Sequence, residues 1–380
     1  MNQGPKIYLV LTDDWELPGD GSGDMETLQI QNMQKLVQLY EKYRIKGSFF
    51  AELMQQITFR QFQEDHRELK LLADRWDNIV KETFRKGHDI QLHIHPQWHE
   101  AQYIDSRWNL KSDWALTNHP RERALNMITQ AMGYLGNLLK PIDPDYKCVA
   151  FRAGGWRLTP SPYILSMLAD QGITLDASIV GGLHYTSGAY NLDYRNCEEA
   201  FLPFYPDMED ARKVSAKKES IVCAPTFHFF EPAYFVIKRK LANILKNARK
   251  KTPANSDTLE PDENFSPSEK KKVNRRSFFT REFLWDLLKA PGKGFHRISD
   301  LSLLDYKTLC YMMDKIRSQA KASGLSEVPV ILENHTKLIK DFSSIEKFFA
   351  DLSQASDIQT HTLTELASDL AKGRFPVRTK

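Results

Sequence analysis

The stretch Ile7-Tyr-Leu-Val-Leu-Thr-Asp-Asp14 joins an apolar run of strand length to two adjacent carboxylates. A continuously apolar run is typical of a strand that is buried on both faces, as in a parallel sheet covered by helices. Further strand candidates follow along the chain at 47–51, 89–95, 148–152, 175–180, 221–228, 328–333 and 358–363. Asp13 and Asp14 are therefore predicted to stand at the carboxyl end of a buried parallel strand.

Helical patterns fall between these runs. Within 25–43, 303–322 and 343–352, apolar side chains recur every three or four residues. Alternating strands and helices indicate parallel strands joined by crossover helices. Seven or eight strands favour a closed barrel over an open sheet, because eight strands close around a filled interior. We predict an α/β fold, a (β/α) barrel that occupies 1–380 as a single domain.

One polar region interrupts the alternation. Residues 238–276 begin with a basic segment and continue into a stretch rich in Pro, Ser, Asn and acidic residues. The pattern predicts a solvated helix and a mobile loop inserted into the barrel. Peripheral contact with a membrane surface through this insert is the alternative.

Composition excludes some functions and suggests a compartment. The 52 basic and 49 acidic residues give a net charge of +3, which does not by itself call for a nucleic-acid partner. The four cysteines are far apart, as expected of thiols in a reducing compartment. The start of the chain lacks a signal-peptide pattern, and no apolar stretch reaches the length of a membrane span. We expect a cytoplasmic protein.

A histidine-rich segment, KGHDIQLHIHPQWHE, covers 86–100. His93 and His95 are two residues apart on a predicted strand, so both side chains point to one face. Imidazoles on one strand face are suitable ligands for a divalent metal ion. Pro96 ends the strand, which places the pair at its carboxyl end. His88 precedes the strand and is left out of the predicted site.

The segment CVAFRAGGWR at 148–157 ends another predicted strand in Arg152. Gly154 and Gly155 allow the backbone to turn or to approach a ligand closely. Trp156 offers a large apolar ring on which a sugar could stack. Two later strands carry Asp176 and, at 333–335, the sequence Glu-Asn-His.

Taken in order, these motifs resemble those of the polysaccharide deacetylases, the carbohydrate esterase family of chitin, peptidoglycan and xylan deacetylases. The Gly47-Ser-Phe-Phe50 strand is similar to the A-T-F-F strand of that family. "LHIHPQW" and "FRAGGW" together resemble a branch found in bacterial surface-polysaccharide gene clusters. The matching motifs are Thr12-Asp13-Asp14, His93-Ile94-His95-Pro96, Arg152-Ala-Gly-Gly-Trp156, Asp176 and Leu332-Glu-Asn-His335.

The resemblance implies a metal-dependent hydrolase that removes an N-acyl group, foremost N-acetyl, from a saccharide or a lipid- or nucleotide-linked sugar precursor. It implies zinc as the foremost ion, with Asp14, His93 and His95 as ligands. Because the family's histidines are usually spaced H-x-x-x-H, His99 is the alternative to His95.

The resemblance also implies the catalytic roles. Asp13 would be the general base, oriented by Arg152. His335 would be the general acid, with its tautomer fixed by Asp176. Trp156, together with Gly154 and Gly155, would contact the sugar.

This sequence departs from the family pattern after the two aspartates. Asp14-Trp15-Glu16 fits a D-x-E pattern of related branches, so the roles of Asp13 and Asp14 could be exchanged, or Glu16 could take part. Two other functions stay open: a non-catalytic barrel that binds a glycan, and a different barrel amidohydrolase acting on a small C–N substrate.

Overall fold

The computed structural model of the chain describes residues 4–111, 113–187, 190–232 and 294–380. The predicted insert at 238–276 lies outside these residues. In the part of the chain that is described, no helix is both long and apolar enough to cross a membrane.

Strands and helices alternate through most of the described chain. The strands are β1 (Lys6–Trp15), β2 (Ser48–Glu52), β3 (Asp89–Ile94), β4 (Gln102–Ile104), β5 (Arg107–Asn109), β6 (Ala150–Ala153), β7 (Leu175–Asp176), β8 (His184–Ser187), β9 (Tyr190–Asp193), β10 (Val222–Cys223), β11 (His228–Pro232), β12 (Gly294–Ile298), β13 (Glu327–Leu332) and β14 (Ile358–His361). The α-helices are α1 (Asn32–Lys42), α2 (Leu53–Phe62), α3 (Arg67–Arg85), α4 (Arg121–Leu139), α5 (Ile164–Asp170), α6 (Tyr306–Ala322), α7 (Ser343–Gln354) and α8 (Leu363–Ala371).

Eight of these strands form one sheet in which every pairing is parallel. Its order is β10-β7-β6-β3-β2-β1-β13, and β14 pairs with the first half of β1. Beyond β10, Thr226 forms a parallel bridge with Ile331 of β13, and the Phe227 amide donates to the Ile331 carbonyl at 2.8 Å. This bridge joins the two edges of the curled sheet. The predicted (β/α) barrel is confirmed.

Side chains of β1 alternate between two apolar clusters. Tyr8 and Val10 belong to a cluster that strands on all sides of the barrel supply, among them Phe50, Leu175 and Ile331. Together with apolar side chains of α8, that cluster fills the barrel interior. Ile7, Leu9 and Leu11 instead pack in the larger cluster with the surrounding helices. Because strand side chains alternate, Thr12 and Asp14 continue the interior face, and Asp13 continues the outer face.

Three elements differ from the sequence prediction, and the first is the strand predicted at 175–180, which is shortened to β7. The predicted strand at 221–228 divides into β10 and β11, because Thr226 turns to β13 and β11 then leaves the barrel to pair antiparallel with β12. The predicted helix at 25–43 begins with a π-helical segment, Glu26–Gln31, before α1. All four cysteines are unbridged.

His88 gives the fold a pH-dependent stability. Its ring lies 5.5 Å from that of Tyr40 and 6.0 Å from that of Phe49, and its Nδ1 accepts a hydrogen bond from the Gly47 amide. Burial, with a smaller contribution from Lys46, lowers the pKa of His88 from 6.5 to about 4. Below pH 6.5 the unfolded chain therefore binds a proton that the folded chain excludes.

Between pH 6.5 and pH 4 we expect His88 to remove about 3 kcal/mol from the free energy of unfolding. Urea unfolding of the wild type and His88→Gln across this range measures the effect. The wild type should lose stability relative to the variant as the pH falls. A stability difference that stays constant with pH would contradict the prediction.

Candidate active site

A cluster of buried side chains lies at the carboxyl ends of the barrel strands. Glu16 follows β1, and His93 and His95 stand at the end of β3. The Oε2 atom of Glu16 is 2.5 Å from Nε2 of His95 and 3.6 Å from Nε2 of His93. The three candidate ligand atoms all lie within 4.8 Å of one another. Two imidazoles and a carboxylate in this arrangement are a suitable ligand set for a divalent ion.

The environment of His93 fits this role. Its Nδ1 is 2.8 Å from the carbonyl oxygen of Arg152, and a carbonyl only accepts, so the proton resides on Nδ1. The lone pair of Nε2 is then available, and this buried atom has no hydrogen-bond partner among the described residues. A metal-binding histidine is usually fixed in this way through its other ring nitrogen. The residues present therefore fit a divalent metal ion.

Glu16 is held as an anion. Burial raises the pKa of its carboxyl group, but His95 and Lys337 outweigh burial and hold it well below its usual range. Lys337 donates to Oε1 at 2.8 Å. The resemblance implied Asp14 as the third ligand, but Glu16 takes that place in the group that contains His93 and His95. Sequence reasoning left Glu16 as an open alternative and missed Lys337. Glu16 could have been placed from its position two residues after Asp14, which puts both on one face of an extended chain.

Asp14 lies between the candidate ligands and His335. Its Oδ1 accepts from Nη1 of Arg152 at 2.5 Å. Its Oδ2 is 3.9 Å from Nε2 of His93 and 3.8 Å from Nε2 of His335. Burial raises the pKa of Asp14, but the adjacent Arg152 guanidinium and the two histidines lower it below its ordinary value. Asp14 therefore presents one ionised oxygen to the centre of the site.

Arg152 is fully buried and contacts several strands. Besides Asp14, it donates to Thr12 Oγ1 at 2.9 Å, to Thr226 Oγ1 at 3.1 Å and to the Ala177 carbonyl at 3.3 Å. The expectation that Arg152 orients Asp13 is wrong, because its carboxylate partner is Asp14.

Asp13 points away from this cluster. It continues the outer face of β1, and its two carboxylate oxygens accept from Asn334 Nδ2 and Thr336 Oγ1. Burial raises the pKa of Asp13 to about 7. The expectation that Asp13 is the general base is corrected, because strand alternation turns its carboxylate to the helical layer.

His335 is held by two carboxylates. Its Nδ1 lies 2.8 Å from Oδ2 of Asp300 and 3.0 Å from Oε1 of Glu333. Burial lowers the pKa of His335, but Glu333 and Asp300 raise it well above its ordinary value. Nε2, the other ring nitrogen, faces Asp14. Sequence reasoning missed Asp300, which is distant in sequence and belongs to no recognisable motif.

Asp176 does not reach His335. Its neighbours Leu175 and Ala177 line the barrel interior, so Asp176 faces outward. Its carboxylate accepts from the Ser178 hydroxyl at 2.6 Å and the Ser178 amide at 3.1 Å, and burial raises its pKa to about 6. The predicted Asp176–His335 pair is therefore wrong, and Asp300 and Glu333 occupy that place.

The glycine segment after β6 is a packing element. A side chain at Gly154 would come within 2.4 Å of the Ile94 carbonyl and 2.9 Å of the His95 ring. Gly155 and Trp156 both have positive φ, at 61° and 66°. Trp156 is only 7% exposed, and its ring lies 4.8 Å from the guanidinium of Arg152.

These contacts change the predicted sugar-binding roles. The ring of Trp156 covers Arg152 and leaves little surface for a sugar. The absence of a side chain at Gly154 lets its backbone pack directly against the end of β3 and the ring of His95. The positive φ values let the chain turn at Gly155, so this segment shapes the wall of the site.

His99 lies outside the ligand cluster. It follows the short 3-10 helix Pro96–Trp98 and interacts electrostatically with Glu100 and His119. Among the described residues, the group able to hold a metal with His93 contains His95 and Glu16. The geometry thus favours His95 over His99.

Known structures share this architecture. The chain aligns over its full length with 95% of a structure described as a polysaccharide deacetylase from Mycobacterium smegmatis, at a TM-score of 0.51 and 11% identity. The fold is that of a polysaccharide deacetylase. Two further structures align less well with this chain. One, described as a polysaccharide deacetylase from Pseudomonas aeruginosa PAO1, has a TM-score of 0.47 and 10% identity over 97% of this chain and 92% of its own.

The other is a PuuE allantoinase, with a TM-score of 0.49 and 10% identity over 98% of this chain and 93% of its own. No protein-family model and no curated protein matches the chain. At these identities the structural likeness establishes the fold alone.

The ligand assignment predicts which variants lose a metal ion. His93→Ala, His95→Ala and Glu16→Gln should each weaken zinc binding by more than about 100-fold, the upper end of the effect of removing an outer-shell partner. His99→Ala is the matched control and should bind zinc like the wild type. Competition with a chromophoric chelator measures the affinities. Loss of zinc from His99→Ala, with retention in His95→Ala, would reverse the assignment.

Proposed function

We propose that the protein hydrolyses an N-acyl group, foremost N-acetyl, on a saccharide or a lipid- or nucleotide-linked sugar precursor, in a metal-dependent reaction. One observation carries the proposal. Oδ2 of Asp14 lies between His93, from the candidate ligand set, and His335, at 3.9 Å and 3.8 Å. A candidate base (Asp14), a candidate metal ligand (His93) and a candidate acid (His335) are thus close together, as amide hydrolysis requires.

Glu16, His93 and His95 would hold the divalent ion, and zinc suits two imidazoles and a carboxylate with an open position. Such an ion, when bound, polarises an acyl carbonyl and lowers the pKa of water. Asp14 is the proposed general base and accepts the water proton at Oδ2. Arg152, on Oδ1, keeps this carboxylate ionised and fixed in direction.

His335 is the proposed general acid. Asp300 and Glu333 accept the Nδ1 proton and favour the doubly protonated ring, so Nε2 also carries a proton, which the departing amine needs. The two carboxylates favour the cationic ring. A barrel that only bound glycans would not need a histidine held as an acid, so this arrangement supports an enzyme over a glycan-binding protein.

The saccharide part of the proposal rests on the sequence motifs together with the deacetylase-like fold. The structure from Mycobacterium smegmatis is described as a polysaccharide deacetylase, and its fold covers the whole chain. Four residues from the motifs also lie close together in this chain, which supports the proposal: Asp14, His93, Arg152 and His335.

The base assignment distinguishes Asp14 from its neighbour. Asp14→Asn should lower kcat by about 10²- to 10⁴-fold, the usual contribution of a general base, and should retain the metal. Asp13→Asn should keep most of the wild-type rate, because Asp13 faces the helical layer. Release of acetate from a panel of N-acetylated sugars and chito-oligosaccharides measures both. An inactive Asp13→Asn beside an active Asp14→Asn would return the base role to Asp13.

A further inference from the structure

The backbone on both sides of Glu16 is held by two buried glutamines. The indole Nε1 of Trp15 donates to the Gln29 carbonyl at 3.1 Å, and Gln29 Nε2 donates back to the Trp15 carbonyl at 3.1 Å. The Leu17 amide donates to Oε1 of Gln55 at 2.9 Å. The residue before Glu16 and the residue after it are thus both fixed by side-chain amides.

The two glutamines also bond to each other. Nε2 of Gln55 donates to Oε1 of Gln29 at 2.8 Å, and both side chains are fully buried. A buried amide costs free energy unless its donors and acceptors are bonded. Here the bonds run in one direction, from Leu17 through Gln55 and Gln29 to Trp15. This chain of bonds, which we name the glutamine bridge, specifies one position for the intervening Glu16 backbone.

Gln29 belongs to the π-helical segment Glu26–Gln31. π-Helical turns are rare and are found frequently at functional sites. The Trp15 ring that this segment contacts is also stacked on Trp76, with the ring centroids 4.8 Å apart, so a second contact holds the ring. The unusual helical turn therefore coincides with the glutamine that fixes the start of the Glu16 loop.

Helix α2, which carries Gln55, is also connected to the second candidate ligand, His95. Glu52 precedes α2 and accepts from the backbone amides of Met54 and Gln55. Its Oε1 also accepts from the His95 amide at 2.8 Å. The amino end of α2 thus connects the backbone of His95 to the glutamine that holds the Glu16 loop.

We propose that Gln29 and Gln55 are positioning residues that set the geometry of Glu16 as a metal ligand relative to His95. The inference rests on the proposed function, since it assumes that Glu16 binds the ion. Neither glutamine contacts the candidate ligand atoms, so each acts through the backbone of Trp15 or Leu17.

The neighbouring residue Gln56 supplies a control that distinguishes a positioning role from a general effect on stability. Gln56 follows Gln55 on α2 and is also fully buried. Its Nε2 lies 2.9 Å from each of three acceptors on α3 and α4, the Ala73 carbonyl, Asp77 Oδ1 and Tyr134 Oη, and can donate to two of them. Gln56→Met therefore removes a comparable set of buried hydrogen bonds without touching the Glu16 loop.

The experiment compares Gln55→Met and Gln29→Met with Gln56→Met in the full chain, with Co²⁺ as the probe. Chelator competition gives the Co²⁺ Kd, the visible absorption of bound Co²⁺ reports its coordination, and urea unfolding gives the stability of each metal-free variant. We expect all three to lose stability. Only Gln55→Met and Gln29→Met should raise the Kd, by about 10- to 100-fold, and change the spectrum. Gln55→Glu keeps the acceptor for Leu17 and should show a smaller effect, which is measurable even if a methionine variant fails to fold.

A double variant tests the route through Glu16. In a Glu16→Gln background, Gln55→Met should cause little further loss of Co²⁺ affinity, because the ligand that it positions is already altered. The positioning role would be overturned, and the proposed function left standing, if the wild type binds Co²⁺ and both Gln55→Met and Gln55→Glu bind it with the same Kd and the same spectrum. Equal weakening by Gln56→Met would overturn it too. A wild type that binds no metal would remove the proposed function together with this inference.

Discussion

The buried pair of Arg152 and Asp14 is the interaction on which the rest of the site depends. An uncompensated charge in a barrel interior would be costly, so the guanidinium and the carboxylate must meet. Arg152 also donates to Thr12, Thr226 and the Ala177 carbonyl, so the pair joins β6 to β1, to the end of β7 and to the segment that closes the barrel. The same guanidinium fixes Oδ1 of Asp14, which leaves Oδ2 facing His93 and His335 in the candidate site.

Strand alternation sorts the remaining polar residues. Asp14 and Glu16 share one face of the extended chain, and His93 and His95 share the interior face of β3. Asp13 and Asp176 fall on the opposite faces of their strands, where Asn334, Thr336 and Ser178 satisfy them. Every carboxylate here lies at a strand end, but only those on the interior face can serve chemistry inside the barrel.

Much of the fold and part of the site could be predicted from the sequence. The apolar runs predict the strands of the barrel, and the positions of His93, His95, Arg152 and His335 at the predicted strand ends place them in the candidate site. The choice between Asp13 and Asp14 could not be predicted in this way, because β1 is apolar on both faces and its pattern does not show which face is interior. Asp300, Gln29 and Gln55 are brought to the site only by tertiary packing, so no local motif identifies them.

The central claim is that Glu16, His93 and His95 hold a divalent ion at the carboxyl end of the barrel. X-ray absorption spectroscopy of the zinc-loaded protein at the zinc edge tests this most directly, since imidazole, carboxylate and thiolate ligands give different scattering. We expect two imidazoles together with oxygen ligands at about 2.0–2.2 Å from the zinc ion. Protein that binds no zinc, or zinc whose spectrum shows sulfur or lacks imidazole, would contradict it.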